Sequence, residues 1–470
     1  MNYHTDPKAL AEKWFERALS ALKSEGRDQD FHNASQMCVQ ALCLNPDLHE
    51  AWIMRGNILH RMEKPLDALL HYDRALSIRE DLRDAWCNRG LAFADLGMWS
   101  AALDSFQRSL AVAPSTEPHI GMANMFCTLM RLAEAEREYR LALEFENSAE
   151  IRFNLGVTIL GAGRWEEGFR EYEHRWKNTP FPPRAYALLP KWQGESLNGK
   201  TILLYPEQGY GDEIMALRFA LVLRQADRVI VQSRDPMLRL AGTLPLSYYH
   251  GDTVVPMHAE LPEGVDYSCP LLDVPMVLGM TPDTVPTPHH YLRPPDCLKV
   301  EEWRKRLPKG LNVGLCWQSG GHLGTARAAQ LQKSIPPHLL KAFAIPGVNL
   351  ISLQKPRVEV PPELGLIDWM DECGSFAETA NLVETLDLVI SSDTAVAHLA
   401  GAMGKLVWNF VRFSGYWPWL AHDVAPDPAY SIWYPNNMRL YRQPALNNWG
   451  EPVARASANL QSLVASKMAA

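Results

Sequence analysis

The chain has 470 residues, of which 47% are hydrophobic and 21% are charged, and its formal net charge is −8. This length allows about two to four domains with sizeable cores, and the acidic balance argues against a general binder of nucleic acid or anionic membranes. The N-terminus lacks the pattern of a signal peptide, and no run of about 18 apolar residues occurs, so we expect a cytoplasmic, soluble protein. The eight cysteines show no CxxC spacing, which predicts buried thiols rather than a zinc site or disulfides.

The N-terminal region repeats itself with a period of about 34 residues, which indicates stacked helical hairpins. Gly56 aligns with Gly90, and Tyr72 aligns with Phe106. Small residues at such positions let two helices pack closely, and large ones fill the space between hairpins. The pattern resembles tetratricopeptide repeats, and we predict five hairpins between residues 8 and 178, within a first domain spanning 1–178.

Stacked hairpins form a curved solenoid whose concave face usually receives an extended peptide or a partner's helix. We therefore expect a protein partner on this face. Candidates for holding a peptide backbone are Asn57, Asn88, Arg89 and Asn124. The alternative is that the array is a scaffold for the second domain or the contact of a homodimer, and that these side chains are merely solvated.

After Trp176 the sequence becomes rich in proline and glycine, which predicts a linker over 179–198. Apolar strand patterns then alternate with helical patterns, which favours parallel sheets. We predict two Rossmann-like α/β lobes, over 199–298 and 299–448, and a C-terminal helix over 449–470 that braces the lobes. The fold class is an all-helical array followed by two α/β lobes.

The first loop with candidate catalytic residues is EQGYGDE, from Glu207 to Glu213, between the first predicted strand and helix of the first lobe. Gly209 and Gly211 permit a close backbone approach, and Asp212 stands where the helix starts. A carboxylate at the carboxyl edge of a parallel sheet can accept a proton from an attacking hydroxyl. The alternative is that Asp212 only caps its helix.

A second strand-turn-helix segment, DLVISSDTAVAHLAGAMG, spans Asp387 to Gly404 in the second lobe. It places Asp393, Thr394 and His398 at the point where a helix N-terminus attracts phosphate. A diphosphate ligand would suit this position. Alternatively, Asp393 or Thr394 caps the helix, and His398 is a surface or core histidine whose hydrogen bonds are made within the protein.

Further polar residues follow neighbouring strands and are expected at the same edge, where they can contact ribose, base or sugar. They are Gln208, Gln318, His322, Gln354 and Lys355, and Gly209 and Gly211 can add close backbone contacts. No Asp-x-Asp triad follows a strand, so we expect no metal ion.

The GYGD loop and the SSDTAVAHLAGAMG segment, with KSIP from Lys333, together resemble glycosyltransferases of the GT-B fold, and among them the bacterial heptosyltransferase-like group. The resemblance covers roughly residues 186 to 460. Tetratricopeptide repeats fused to such a domain are similar to bacterial protein glycosyltransferases, including flagellin-modifying ones.

This resemblance implies that Asp212 is the general base and that the donor's diphosphate is bound by Asp393, Thr394, Ala395 and His398. It also implies a phosphate-neutralising role for Lys333, where related sequences usually have arginine. The implied function is an inverting, metal-independent transfer from a nucleotide sugar, as substrate, to Ser or Thr of a protein recruited by the array. The alternatives are transfer to lipopolysaccharide or another glycan, and a non-catalytic scaffold whose transferase domain has degenerated.

Overall fold

The computed structural model describes residues 6–23, 28–178, 184–246, 253–319, 332–415, 417–427 and 429–469. The chain divides into two compact units, Met1–Leu155 and Gly156–Ala470. Among the described residues, no helix combines the length and apolar character needed to cross a bilayer.

The first unit consists of consecutive helix pairs that repeat along the chain and resemble tetratricopeptide repeats. The helices are α1 (Pro7–Lys23), α2 (Asp28–Leu44), α3 (His49–Arg61), α4 (Pro65–Ile78), α5 (Arg83–Asp95), α6 (Trp99–Val112), α7 (Thr116–Thr128), α8 (Leu132–Phe145) and α9 (Ala149–Gly161), which continues into the second unit. Each even-numbered helix up to α8 packs on the helix before it.

Glycines make this packing possible, as the sequence pattern predicts. A Cβ atom on Gly56 would lie 2.5 Å from Cε1 of Tyr72, and one on Gly90 would lie 2.6 Å from Cε1 of Phe106. Any larger residue would separate the two helices of the hairpin. Tyr72 and Phe106 are fully buried and belong to one apolar cluster that continues across successive hairpins.

Several of the residues predicted to hold a peptide are engaged with their neighbours in the array. The side-chain oxygen of Asn57 accepts hydrogen bonds from Tyr72 Oη at 2.9 Å and Asn88 Nδ2 at 2.8 Å. Arg89 Nε donates to Asp73 Oδ1 at 2.7 Å. These bonds stiffen the inner face of the array, and a peptide-binding role for these residues stays a prediction.

The second unit begins with the end of α9 and then forms a first parallel sheet. Its helices up to and around this sheet are α10 (Trp165–Tyr172), α11 (Arg175–Asn178), α12 (Arg184–Leu188), α13 (Tyr210–Ala216), α14 (Leu238–Ala241) and α15 (Val274–Val277). The strands are β1 (Thr201–Tyr205), β2 (Arg228–Ser233), β3 (Thr253–Pro256) and β4 (Tyr267–Pro270), in the order β3-β2-β1-β4. Ile202, Leu203 and Leu204 are fully buried, as expected for a strand covered on both faces.

A second parallel sheet follows, in the order β6-β5-β7-β8-β9. Its strands are β5 (Leu311–Cys316), β6 (Val348–Ser352), β7 (Leu388–Ser392), β8 (Val407–Val411) and β9 (Met438–Arg442). The helices are α16 (Cys297–Arg306), α17 (Phe376–Val383), α18 (Ala395–Ala402) and α19 (Gly450–Ala469). The prediction of parallel α/β regions after helical repeats is confirmed.

Some elements differ from their sequence prediction. The helix predicted after the EQGYGDE loop is the short α13, which is followed by a 3₁₀ segment, Leu217–Val222. Pro337–Phe343 in the second lobe is also a 3₁₀ segment. The short strands β3, β4 and β9 are not predicted, because proline or partly exposed polar residues interrupt their apolar pattern.

The C-terminal helix α19 packs on the second sheet. Val453, Ala456 and Leu460 lie on its apolar side, within the same buried cluster as Phe410 of β8. Ser457 Oγ donates to the carbonyl oxygen of Ala342 at 2.6 Å. The apolar spacing of this helix therefore matches the core of the second sheet, and the predicted brace across to the first lobe stays a prediction.

Candidate functional site

A cavity of about 420 Å³ opens at the carboxyl ends of the strands of both sheets. In open parallel sheets, ligands bind at this edge, where neighbouring strands lead their loops in opposite directions. The cavity wall includes most of the predicted site residues, namely Gly209, Gly211, Asp212, Gln318, Lys333, Lys355, Asp393, Thr394, Ala395 and His398. His322 lies outside the described residues.

Asp212 lies in the first turn of α13, and its carboxylate turns back to the loop. Its Oδ2 atom accepts a hydrogen bond from the backbone N–H of Gly209 at 3.0 Å. Burial, together with the negative charge of Asp393, raises the pKa of Asp212 to about 7, although the Gly209 hydrogen bond and the charge of Lys333 lower it. Asp212 therefore caps its own helix and also titrates near neutral pH, so the helix-capping role and the proton-accepting role are compatible.

The loop before α13 is held from behind by Arg234, a residue that the sequence does not single out. Arg234 Nε pairs with Glu213 Oε2 at 2.6 Å, and its other nitrogens donate to the carbonyl oxygens of Gln208 at 2.8 Å and Gly209 at 2.9 Å. Its guanidinium lies over the ring of Tyr210, 4.4 Å from the centroid. Because Arg234 follows β2 directly, the strand-end rule is the signal that finds it.

A buried group of charges lies behind the start of the same loop. Arg175 of α11 donates to both carboxylate oxygens of Glu207, at 2.5 and 2.6 Å, and also pairs with Asp273. Lys191 Nζ lies 3.1 Å from Asp273 Oδ2. Two cations thus neutralise two carboxylates close to the loop that carries Asp212, and the sequence offers no signal for this arrangement.

The second loop, between β7 and α18, leaves its helix N-terminus open. Thr394 is the N-cap residue, yet its hydroxyl makes no cap bond and instead lies 2.9 Å from Ser391 Oγ and 3.6 Å from Cys316 Sγ. Within the described part of the chain, no acceptor is found for the backbone N–H groups of Ala395 and Val396, which line the cavity. The positive end of α18 therefore faces the cavity.

Gly211 brings the two loops into contact. A Cβ atom at this position would lie 3.0 Å from Cδ2 of His398 and 3.5 Å from Cα of Ala395. The glycine thus allows the close approach of α18 to α13, and its φ angle is not in the left-handed region. This approach places Asp212 and the N-terminus of α18 on the same cavity.

His398 is buried and neutral near pH 7. Its ring stacks on Trp419, with 5.1 Å between the centroids, and its Nδ1 atom lies 3.3 Å from Tyr434 Oη. Burial lowers the pKa of His398 to about 4, against the charge of Asp393, which raises it. A neutral imidazole is a weaker phosphate ligand than a cation.

Other predicted contacts are used within the protein. The Oε1 atom of Gln354 accepts from the N–H groups of Trp317 at 3.2 Å and Gln318 at 2.9 Å, so this buried side chain joins the ends of β5 and β6. Lys355 Nζ donates to the carbonyl oxygen of Cys373. Neither Gln208 nor Gln354 belongs to the cavity wall.

The apolar part of the wall is also absent from the sequence prediction. It includes Tyr210, Leu353, Met370 and Phe376, and the rings of Tyr210 and Phe376 lie 5.1 Å apart. Among the described residues, no group of three or more His, Cys, Asp or Glu side chains is placed to hold a metal ion.

A comparison with known proteins finds a relative that matches along most of the chain. The chain is 25% identical over 474 residues to Protein FlbA of Caulobacter vibrioides, covering 95% of this chain and 72% of that protein. No family model matches the chain.

Several solved structures match 36% of the chain. A thermophilic TPR protein of Thermus thermophilus is 18% identical, covers 36% of this chain and 92% of its own, and has a TM-score of 0.32. YrrB, a TPR protein with an unusual peptide-binding site, is 20% identical, with coverages of 36% and 87% and a TM-score of 0.29. MamA from Desulfovibrio magneticus is 15% identical, with coverages of 36% and 92% and a TM-score of 0.30.

Proposed function

We propose that the second unit is an inverting glycosyltransferase of the GT-B type, which moves a sugar from a nucleoside-diphosphate donor to a hydroxyl group. The observation that carries the proposal is that a proton-accepting carboxylate and a positively charged anion site line the same cavity. Asp212, with a pKa of about 7, lies on one side, and Lys333 and the open N-terminus of α18 lie on the other.

On the donor side, the leaving group is a diphosphate whose negative charge grows as its bond to the sugar breaks. The N–H groups of Ala395 and Val396 and the ammonium group of Lys333 are fixed donors that can stabilise this charge without a metal ion. The carboxylate of Asp393 would repel phosphate and is better suited to accept hydrogen bonds from sugar hydroxyls.

On the acceptor side, Asp212 takes the proton of the attacking hydroxyl. The acceptor oxygen forms a bond to the anomeric carbon, the bond from that carbon to the phosphate oxygen breaks, and its electron pair leaves with the diphosphate. One direct displacement inverts the anomeric configuration. A base whose pKa is near 7 is partly ionised at neutral pH and still accepts a proton readily, which is the compromise that general-base catalysis favours.

The acceptor is proposed to be Ser or Thr of a protein that the repeat array recruits. A groove of about 430 Å³ on the first unit, between the starts of α3 and α5, includes Glu50, Ile53 and Leu82 in its wall. Its mixture of acidic, basic and apolar side chains suits an extended protein segment. Dimer formation through the array remains a prediction.

The test is a thermal-shift screen of the full chain against nucleoside diphosphates and nucleotide sugars, with and without magnesium. We expect one nucleotide family to raise the melting temperature without magnesium, by a larger amount for the diphosphate than for the monophosphate. Slow, magnesium-independent hydrolysis of the matching nucleotide sugar should accompany binding. The absence of any shift at millimolar ligand would contradict the donor site and favour a non-catalytic role.

A further inference from the structure

A chain of buried side chains connects a guanidinium to His398. Arg218 is fully buried, and its Nη2 atom donates to Tyr291 Oη at 3.1 Å. Tyr291 Oη lies 3.0 Å from the carbonyl oxygen of Ile214 and 3.2 Å from Tyr434 Oη. Tyr434 Oη lies 3.3 Å from His398 Nδ1. The chain therefore ends on the cavity wall, of which His398 is part.

The chemistry of these groups determines which atom carries each proton. Arginine only donates, and a carbonyl oxygen only accepts. Tyr291 must give its single proton to Ile214, because two oxygen atoms 3.0 Å apart repel without a proton between them. The proton between Tyr291 and Tyr434 must then belong to Tyr434.

The same reasoning extends to the histidine. Since Tyr434 has used its proton, its oxygen can only accept from His398, and so Nδ1 of His398 carries a hydrogen. The imidazole is neutral near pH 7, because burial lowers the pKa of His398 to about 4. Its other nitrogen, Nε2, is therefore an unprotonated acceptor, and it has no hydrogen-bond partner among the described residues.

We propose that Nε2 of His398 accepts a hydrogen bond from a hydroxyl of the transferred sugar, and that His398 does not bind the donor's phosphate. This inference rests on the proposed function. A lone pair repels phosphate oxygens but attracts a hydroxyl. The His398 ring lies next to Gly211, the neighbour of Asp212, and next to the start of α18. A sugar in transfer must lie between Asp212, which activates the acceptor, and the start of α18, which holds the diphosphate.

Tyr434 is in this view a positioning residue, which sets the tautomer of His398 through the buried chain. The tautomer of a histidine is usually assigned from the hydrogen bonds of its ring nitrogens. Here the bond of Nδ1 is the end of a chain that starts at Arg218, which can only donate. If Tyr434 were replaced and His398 kept, both tautomers would be populated, and Nε2 of His398 would be an acceptor in one and a donor in the other.

The first experiment observes the tautomer directly. The full chain, labelled with ¹⁵N-histidine, is studied by NMR between pH 5 and 8, and the His398→Gln variant assigns the signal. We expect a neutral ring with the proton on Nδ1 throughout this range. In Tyr434→Phe the two tautomers should mix, whereas Tyr430→Phe, at an exposed position, should leave the signal unchanged. A proton on Nε2, or a cation at pH 7, would overturn the assignment.

The second experiment separates sugar binding from phosphate binding. His398→Ala is compared with the unmodified chain for affinity to each nucleoside diphosphate and its matching nucleotide sugar in the thermal-shift panel. We expect about tenfold weaker binding of the nucleotide sugar and unchanged binding of the free diphosphate. Equal weakening of both would make His398 a phosphate ligand and overturn the proposal.

The outcomes also separate this inference from the proposed function. If no nucleotide sugar binds, the sugar contact is overturned together with the transferase activity, while the NMR result still decides the tautomer. If nucleotide sugars bind and His398→Ala changes neither affinity, the transferase activity stands and the sugar contact is overturned.

Discussion

The two strand-to-helix loops that meet at the cavity have the same backbone plan and opposite electrostatics. In the loop before α13, the carboxylate of Asp212 accepts a hydrogen bond from the N–H of Gly209. A negatively charged side chain therefore occupies the start of this helix. In the loop before α18, the Thr394 hydroxyl turns towards Ser391, and the described part of the chain offers no acceptor to the N–H groups of Ala395 and Val396.

The difference shows that the end of a parallel strand does not by itself define a phosphate site. Whether the N-terminus of the following helix attracts an anion depends on whether a side chain of the loop already occupies it. One loop is thereby suited to accept a proton and the other to bind an anion. The predictions below test this division of roles.

The largest expected effect is on the reaction rate. Asp212→Asn keeps an oxygen that can accept the Gly209 hydrogen bond but removes the base, so we expect transfer to fall by about a hundred- to ten-thousand-fold. Affinity for the nucleoside diphosphate should not change. Initial rates with the nucleotide sugar found by thermal shift provide the measurement, and Asp235→Asn, at an exposed position, is the control. An unaffected rate would remove Asp212 from the reaction.

The same variant should be stabilised in a pH-dependent way. Because the pKa of Asp212 is raised from 3.8 to about 7, the folded protein binds a proton that the unfolded chain has lost, and stability falls as the pH rises through this window. The full difference corresponds to about 4 kcal/mol. The gain in melting temperature of Asp212→Asn should be small near pH 4 and largest above pH 7. A gain that does not vary with pH would contradict the raised pKa.

On the opposite loop, the cation is tested by Lys333→Gln. Loss of a charged donor should weaken binding of the nucleoside diphosphate by about ten- to a hundredfold, with a smaller salt dependence than the unmodified chain. The control is Lys341→Gln, which removes an exposed lysine in the 3₁₀ segment Pro337–Phe343. Isothermal titration gives both affinities, and equal values would exclude Lys333 from the anion site.

The smallest effect is expected from the contact between the loops. In Gly211→Ala the added methyl group would lie 3.0 Å from His398 Cδ2, so one side must shift by a few tenths of an ångström. We expect kcat to fall by about tenfold with little change in diphosphate affinity. Gly242→Ala is the matched control, since its methyl group would meet nothing closer than 3.5 Å. If both variants behave alike, close approach at Gly211 is not required.

Much of the site can be predicted because its residues directly follow buried strands. Asp212, Asp393, Thr394 and His398 belong to two strand-loop-helix segments whose strands are apolar runs, and such strands end at a common edge. Gln354 also follows a strand, but its amide is used by the backbone of a neighbouring loop. Strand position thus predicts which edge a residue reaches and not which group its side chain contacts.

The residues that prediction missed are joined to the site across long stretches of chain. Arg175 reaches Glu207, Arg234 holds the Gly209 carbonyl, and Tyr434 sets the proton on His398. None belongs to a local motif. Each contact arises only after helices and loops from distant parts of the second unit pack together.

The order of helical repeats and parallel α/β regions, and the positions of the two loops, follow from the sequence alone, because period, apolar runs and glycines are local properties. The tertiary structure decided the rest. It raised the pKa of Asp212 through burial beside Asp393, and it chose the tautomer of His398. It also left the first N–H groups of α18 without an acceptor among the residues that the structure describes. These properties depend on desolvation and hydrogen-bond partners, which exist only when distant segments are packed together.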